Sequence, residues 1–137
     1  MRNFKKTLSF LLSTVIIVSS VAGVGTTDEH TYKNFKYRIL DDNTAEICGY
    51  TGKNAVVTVP DSIDSKPVTS IGRTAFYSGK IKEVTIPNTV RSIKWWAFYG
   101  CKSLEKINLN FGLKTVGYGA FMNCKNLKSV SIPMSVT

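Results

Sequence analysis

A phrase that returns at a nearly constant interval limits the fold of this chain more than any other feature. Ile71-Gly72-Arg73-Thr74-Ala75-Phe76 is followed by Ile93-Lys94-Trp95-Trp96-Ala97-Phe98 and by Val116-Gly117-Tyr118-Gly119-Ala120-Phe121. The Ala-Phe pairs begin at 75, 97 and 120, so the spacings are 22 and 23. A second phrase alternates with the first: Ile81-x-x-Val84-x-Ile86-Pro87, Leu104-x-x-Ile107-x-Leu109-Asn110 and Leu127-x-x-Val130-x-Ile132-Pro133, spaced by 23. Val57-Thr58-Val59-Pro60 is an earlier, degenerate copy, and Val90-x-x-Ile93, Leu113-x-x-Val116 and Val136 link the phrases. Three registers that agree on one period are the signature of stacked coils.

The residues within each phrase say how a coil is built. Side chains two apart share one face of a strand. Val84 with Ile86, Ile107 with Leu109, and Val130 with Ile132 therefore face one interior. Pro87 and Pro133 follow the strand, where a missing N–H ends ladder pairing. Ala-Phe suits a tight helical turn, with Ala admitting a close backbone and Phe filling the coil. Gly72 and Gly117 allow a sharp bend before that turn. A single coil cannot bury its apolar face, so neighbours must stack.

The start of the chain has a different character. Arg2, Lys5 and Lys6 precede an uncharged run from Thr7 to Thr27 whose centre, Leu8 to Val18, is rich in Leu, Ile and Val. Ser19, Ser20, Ala22, Gly23 and Gly25 follow. A basic start, a short apolar stretch and a small-residue exit predict a secretory signal peptide over residues 1–22, cut after Ala22. A retained membrane anchor is the alternative, because the uncharged run is long enough to span a bilayer. Residues 23–34 then read as a polar linker.

Composition bounds the remainder. The chain has 137 residues, enough for one domain, with 43% hydrophobic and 20% charged residues, as in globular proteins. Its 18 basic residues against 9 acidic give +9, and removal of the leader lowers this to +6. The excess is uneven. Residues 66–137 hold 11 basic and 2 acidic residues, whereas residues 23–65 hold 4 basic and 7 acidic. Three Cys without a Cys-x-x-Cys pair exclude a self-contained zinc finger.

The pattern Leu-x-x-Val-x-Ile-Pro, followed by Ile-Gly-x-x-Ala-Phe-x-x-Cys-x-x-Leu, resembles the BspA-type leucine-rich repeat over about residues 56–137. Lys94 at a Gly position, Asn110 at a Pro position and the shortened Ser78-Gly79 are its departures. The resemblance implies an α/β leucine-rich-repeat solenoid, β-rich, with a short strand and a helical turn in each coil of about 23 residues. The solenoid would have three to four coils in all, with the repeats proper over residues 71–137 stopping short of a closing cap, as in a truncated repeat. Residues 35–70 would form an N-terminal β-hairpin-like cap and a first degenerate coil. Tyr37–Leu40, Asp41-Asp42-Asn43 and Thr44–Cys48 read as strand, turn, strand, and Asp64 to Pro67 as a loop.

Candidate chemistry is sparse. Cys101 and Cys124 lie one repeat apart, and coil stacking at about 4.8 Å would permit a disulfide. The resemblance, with Cys recurring in this column, instead implies unreacted buried thiols. His30 is the chain's one His and lies in the polar stretch, away from either Cys phrase. Asp41, Asp42, Asp61 and Asp64 fall in turns or loops rather than facing each other on rigid elements. We therefore assign no catalytic, cofactor-binding or metal-ligating residue.

The outward positions carry more information. Between Ile-Gly and Ala-Phe stand Arg73-Thr74, Trp95-Trp96 and Tyr118-Gly119, and after Phe stand Tyr77, Tyr99 and Met122. Stacking would align Arg73, Trp95 and Tyr118, and two adjacent Trp at a short turn predict at least one exposed indole. Trp, Tyr and Arg together favour a binding hot spot. Arg91 and Lys114 form one basic column, and Lys102 and Lys125 another. The candidate surface is Arg73, Trp95, Trp96, Tyr99, Tyr118, Arg91 and Lys114. The resemblance implies a non-enzymatic, secreted or cell-surface module that binds a protein of a host or neighbouring cell. A polysaccharide or cell-wall ligand is the alternative, and a non-catalytic piece of a larger surface enzyme is the third reading. Nucleic acid is excluded as a partner on the expectation of export.

Overall fold

A computed structural model describes residues 28–137; the predicted leader, residues 1–22, lies outside them. The described residues open with three antiparallel strands, β1 (His30–Tyr32), β2 (Phe35–Ile39) and β3 (Ala45–Tyr50). β1 lies within the stretch read as linker and lengthens the cap by one strand. The Asp41–Asn43 turn closes β2 onto β3, with Asn43 in the left-handed region at φ 63°, which Asn tolerates better than most residues.

Each later coil contributes two short strands. β4 (Val56–Thr58), β7 (Glu83–Thr85) and β9 (Lys106–Asn108) form a three-stranded parallel sheet. Its register aligns Val57, Val84 and Ile107. The linking phrases form a second wall. β6 (Lys66–Ile71), β8 (Ser92–Ile93) and β10 (Thr115–Val116) pair in parallel and align Ile71, Ile93 and Val116. The cap joins this second sheet, because β3 pairs in parallel with β6. The first coil's inner edge is thereby covered, as an otherwise open strand edge requires.

The Asp64–Pro67 stretch is a hairpin rather than a loop. β5 (Ser62–Ile63) pairs antiparallel with the start of β6 across Asp64 and Ser65, at φ 50° and 63°. Two positive φ values give the mirror-image turn whose twist matches paired strands. Ile63 is buried beneath it, and the Tyr37 hydroxyl donates to Asp64. Burial and that bond push the Tyr37 pKa up to about 12.

The expected helical turn at Ala-Phe does not form, and the described residues contain no helix. The backbone bonds show why. A helix would spend these N–H groups inside its own coil. Here the N–H groups of Phe76 and Ser78 donate to Ala97 and Tyr99 O of the next coil, at 2.7 and 2.8 Å. Those of Trp96, Phe98 and Gly100 donate to Tyr118, Ala120 and Met122 O. The intervening residues make tight turns within the coil, as in Tyr77 N–H to Thr74 O at 3.0 Å. Such alternation needs left-handed residues once every turn. Thr74 and Trp96 (φ 56° and 55°) share one column with Gly119 (64°), and Ser78, Gly100 and Asn123 (52°, 70° and 62°) share another.

The corner is thus a third ladder, and it seals the core. Phe98 is fully buried and stacks on Phe76 at 4.8 Å and on Phe121 at 5.6 Å between ring centroids. Gly72 and Gly117 serve close approach rather than a bend. A Cβ on Gly117 would lie 2.5 Å from Trp95 N, and one on Gly72 would lie 2.8 Å from Ile47 O. Asn110 replaces proline without leaving polar atoms stranded. Its side chain donates to Pro87 O at 2.8 Å and accepts from Gly112 N–H at 2.8 Å.

The third copy of the strand phrase departs from the other two. Leu127 and Val130 pack partly against the core, but residues 126–137 contain no strand and Ile132 is exposed. Among the described residues, the hydrogen bonds from this end to the coil before it are those of Ser135 Oγ and Thr137 N–H, to Leu113 O and Lys114 O.

Candidate functional site

The left-handed corner decides which side chains reach solvent. Trp95 is 58% exposed and Tyr118 is 70% exposed. Trp96 is half-buried because Gly119 leaves its place free: a Cβ there would lie 2.6 Å from the indole Cδ1. Gly117 does the same for Trp95, whose Cδ1 would lie 2.5 Å from an added Cβ. The Gly117-Tyr118-Gly119 segment is therefore a seat for both indoles, which meet edge to face at 6.4 Å.

Arg73, Trp95 and Tyr118 each precede a member of the left-handed Thr74, Trp96 and Gly119 column, and the Arg73 guanidinium leans over the ring of Trp96, 4.6 Å from the centroid, a favourable cation–π distance. Tyr77 and Tyr99 stack at 5.4 Å with rings within 8° of parallel. Asn123 Nδ2 donates to the Tyr99 hydroxyl at 2.9 Å. Thr74, Tyr77, Trp96, Tyr99, Tyr118 and Met122 together line a shallow groove of about 460 Å³. Arg91 and Lys114 do not line it. Arg91 folds back over its own turn, with Nη1 donating to Asn88 O. Lys114 joins it only through the backbone, donating its N–H to Arg91 O at 2.8 Å.

A buried carboxylate escaped the sequence reading. Glu46 on β3 is 1% exposed and pairs with Arg38 and Lys94, while Ser70 Oγ donates to it at 2.6 Å. Burial alone would raise its pKa. The bonds from Lys94 and Ser70, with the charges of Lys94 and Arg38, outweigh burial and hold it below the usual carboxylate range. Lys94 stands in the column otherwise held by Gly72 and Gly117, so its departure from the pattern has a use. It fastens the first full coil to the cap.

The three cysteines are free thiols. Cys101 Sγ donates to Phe76 O at 2.8 Å and Cys124 Sγ to Phe98 O at 3.1 Å, each reaching the coil before it. Interaction with Cys124 and burial push the Cys101 thiol up, so it behaves as a small packing group. Among the described residues, no group of three or more His, Cys, Asp or Glu could hold a metal ion. Nor do they contain a helix long and apolar enough to cross a membrane.

The stacked corners, paired sheets and cysteine column correspond to a known repeat class. The sequence model of the BspA type leucine rich repeat region (6 copies) matches residues 57–137. The chain belongs to the BspA-type leucine-rich-repeat family. Its fold is also that of solved bacterial repeat proteins. The T. pallidum leucine rich repeat protein is 34% identical, with a TM-score of 0.74 over 80% of this chain and 52% of that one. A leucine rich cell surface protein from Faecalibacterium prausnitzii is 34% identical, with a TM-score of 0.73 over 80% and 32%. A leucine-rich repeat protein from Bacteroides capillosus is 33% identical, with a TM-score of 0.75 over 79% and 84%. The chain thus spans about half the length of the first and a third of the second. No curated protein matches it.

Proposed function

We propose that this BspA-type repeat is a non-enzymatic binding module, exposed at a cell surface or secreted, that attaches to a protein of a host or neighbouring cell. The observation that carries this reading is the aromatic corner. Trp95, Tyr118 and Tyr77 are open to solvent on a backbone held by ladder bonds to neighbouring coils. Rigid aromatic side chains bury much area with little loss of rotamer freedom, which suits recognition. The likeness to a leucine rich cell surface protein supports the location. The test is an array of host-surface and neighbouring-cell proteins probed with the full chain and with Trp95→Ala. Binding that falls at least tenfold in the variant, with folding retained, is the expected result.

A carbohydrate is the second reading, and the openness of Trp95 and Tyr118 favours it, because flat rings can stack on sugar faces. A glycan array run beside the protein array separates the two.

A further inference from the structure

The charge carried by the corner segments themselves is one-sided. The three corner segments, residues 72–80, 94–102 and 117–125, contain Arg73, Lys80, Lys94, Lys102 and Lys125 and no carboxylate. Lys94 is engaged with Glu46. Among the described residues, the other four make no ion pair. Lys80, Lys102 and Lys125 are exposed and stand at the end of each successive corner, spaced by 22 and 23 residues. Each of these unpaired cations stands three residues after a member of the Tyr77, Tyr99 and Met122 column that lines the groove. The complement of such a surface is an extended chain with flat apolar rings on one edge and negative charge on another.

The spacing narrows the class further. Tyr77 and Tyr99 repeat at 5.4 Å, one coil apart. Two coils, the step from Tyr77 to Met122 or from Lys80 to Lys125, therefore span about 10 Å on the strand spacing. A polyproline II helix advances about 9.3 Å in each three-residue turn. A residue repeated every third position would meet every second coil. We infer that the corner binds an acidic, proline-rich peptide in the polyproline II form, with proline rings in the Tyr77–Tyr99–Trp96 groove and a carboxylate every third residue facing the lysine row. Aromatic-lined grooves capture this helix because it is already extended and loses little entropy on binding. The inference rests on the reading of the corner as a protein-binding surface.

The chain carries its own probe, since both of its tryptophans are in the corner. The full chain is titrated, with tryptophan emission followed, against a repeating Pro-Pro-Glu peptide, a Gly-Ser-Glu peptide of equal length, and polygalacturonate. The expected result is a saturable change with Pro-Pro-Glu and binding at least tenfold weaker with Gly-Ser-Glu. Tyr99→Ala should weaken Pro-Pro-Glu binding about tenfold. Replacing Lys80 and Lys125 together with glutamine, at two exposed positions two coils apart, should weaken it two- to threefold and reduce its dependence on salt. Equal binding of the two peptides, or no saturable change with Pro-Pro-Glu, overturns the inference. An emission change with polygalacturonate alone overturns it too, while leaving the corner a binding surface. The broader reading fails separately, if a protein ligand from the array binds Trp95→Ala as tightly as the unaltered chain.

Discussion

Replacing Glu46 with glutamine should loosen the join between cap and solenoid. The side chain is 1% exposed and holds two cations and one hydroxyl. Glutamine keeps the volume, so the effect comes from lost charge and from an amide N–H₂ turned toward donors. Breaking a fully buried ion pair destabilises by about 3–5 kcal/mol. Arg38 and Lys94 keep 31% and 40% of their side-chain surface in water. They can rehydrate, so about 2–3 kcal/mol is the fitting figure. For a domain of this size, that lowers Tm by about 8–20 °C. The pH dependence fixes the cause. Because the folded state lowers the Glu46 pKa, its contribution is full above the ordinary carboxylate value, about 4.3, and is lost as pH falls through the folded value. Thermal melts of the unaltered chain and Glu46→Gln should differ by a constant gap from about pH 8 to 5 and converge in stronger acid. A neutral-pH difference below about 2 °C, or a gap that persists in strong acid, would rule out this role for the Glu46 charge.

Further outcomes follow from the same geometry. Gly100→Ala forces a Cβ onto a left-handed residue 3.1 Å from Ser78 Oγ, so Tm should fall by about 5–15 °C. Ser78→Gly, in the same column, should leave Tm level or higher, and a large loss there would count against the left-handed corner. Phe98→Ala removes the middle ring of the buried stack and should destabilise by about 3–5 kcal/mol in denaturant melts. Mass spectrometry after alkylation under denaturing conditions should find three modified cysteines, with Cys101 and Cys124 protected in the native chain. A two-hydrogen deficit joining Cys101 to Cys124 would contradict the free-thiol column.

The sequence exposed the coil frame because three phrases repeat in step. Val57, Val84 and Ile107 are in register, as the period required. The corner was harder to read. Ala-Phe makes the same close turns locally whether the next N–H bonds within its coil or to its neighbour, and only the neighbour decides. Gly100, Gly119 and Asn123 did carry a signal for left-handed backbone, but Thr74 and Trp96 in the one column and Ser78 in the other masked it. Glu46 was hidden by strand alternation. Ala45 and Ile47 point inward, so a residue between them should meet solvent, and it is buried because Arg38, Ser70 and Lys94 close over it. At the site, the exposure of a Trp was legible from two adjacent indoles. The pairing of Arg73 with Trp96 was not, since it depends on how the half-buried ring leans onto Gly119.

On the proposed function, the corner is the binding surface and the coils beneath it are the frame. The most direct measurement takes a ligand identified on the protein array and titrates it into the full chain and into Trp95→Ala, with Tm recorded for both. The expected outcome is a shift in tryptophan emission on binding, at least a tenfold loss of affinity in the variant and a Tm unchanged within about 2 °C, as for an exposed side chain. A ligand that binds with unshifted emission and equal affinity for both chains would contradict it.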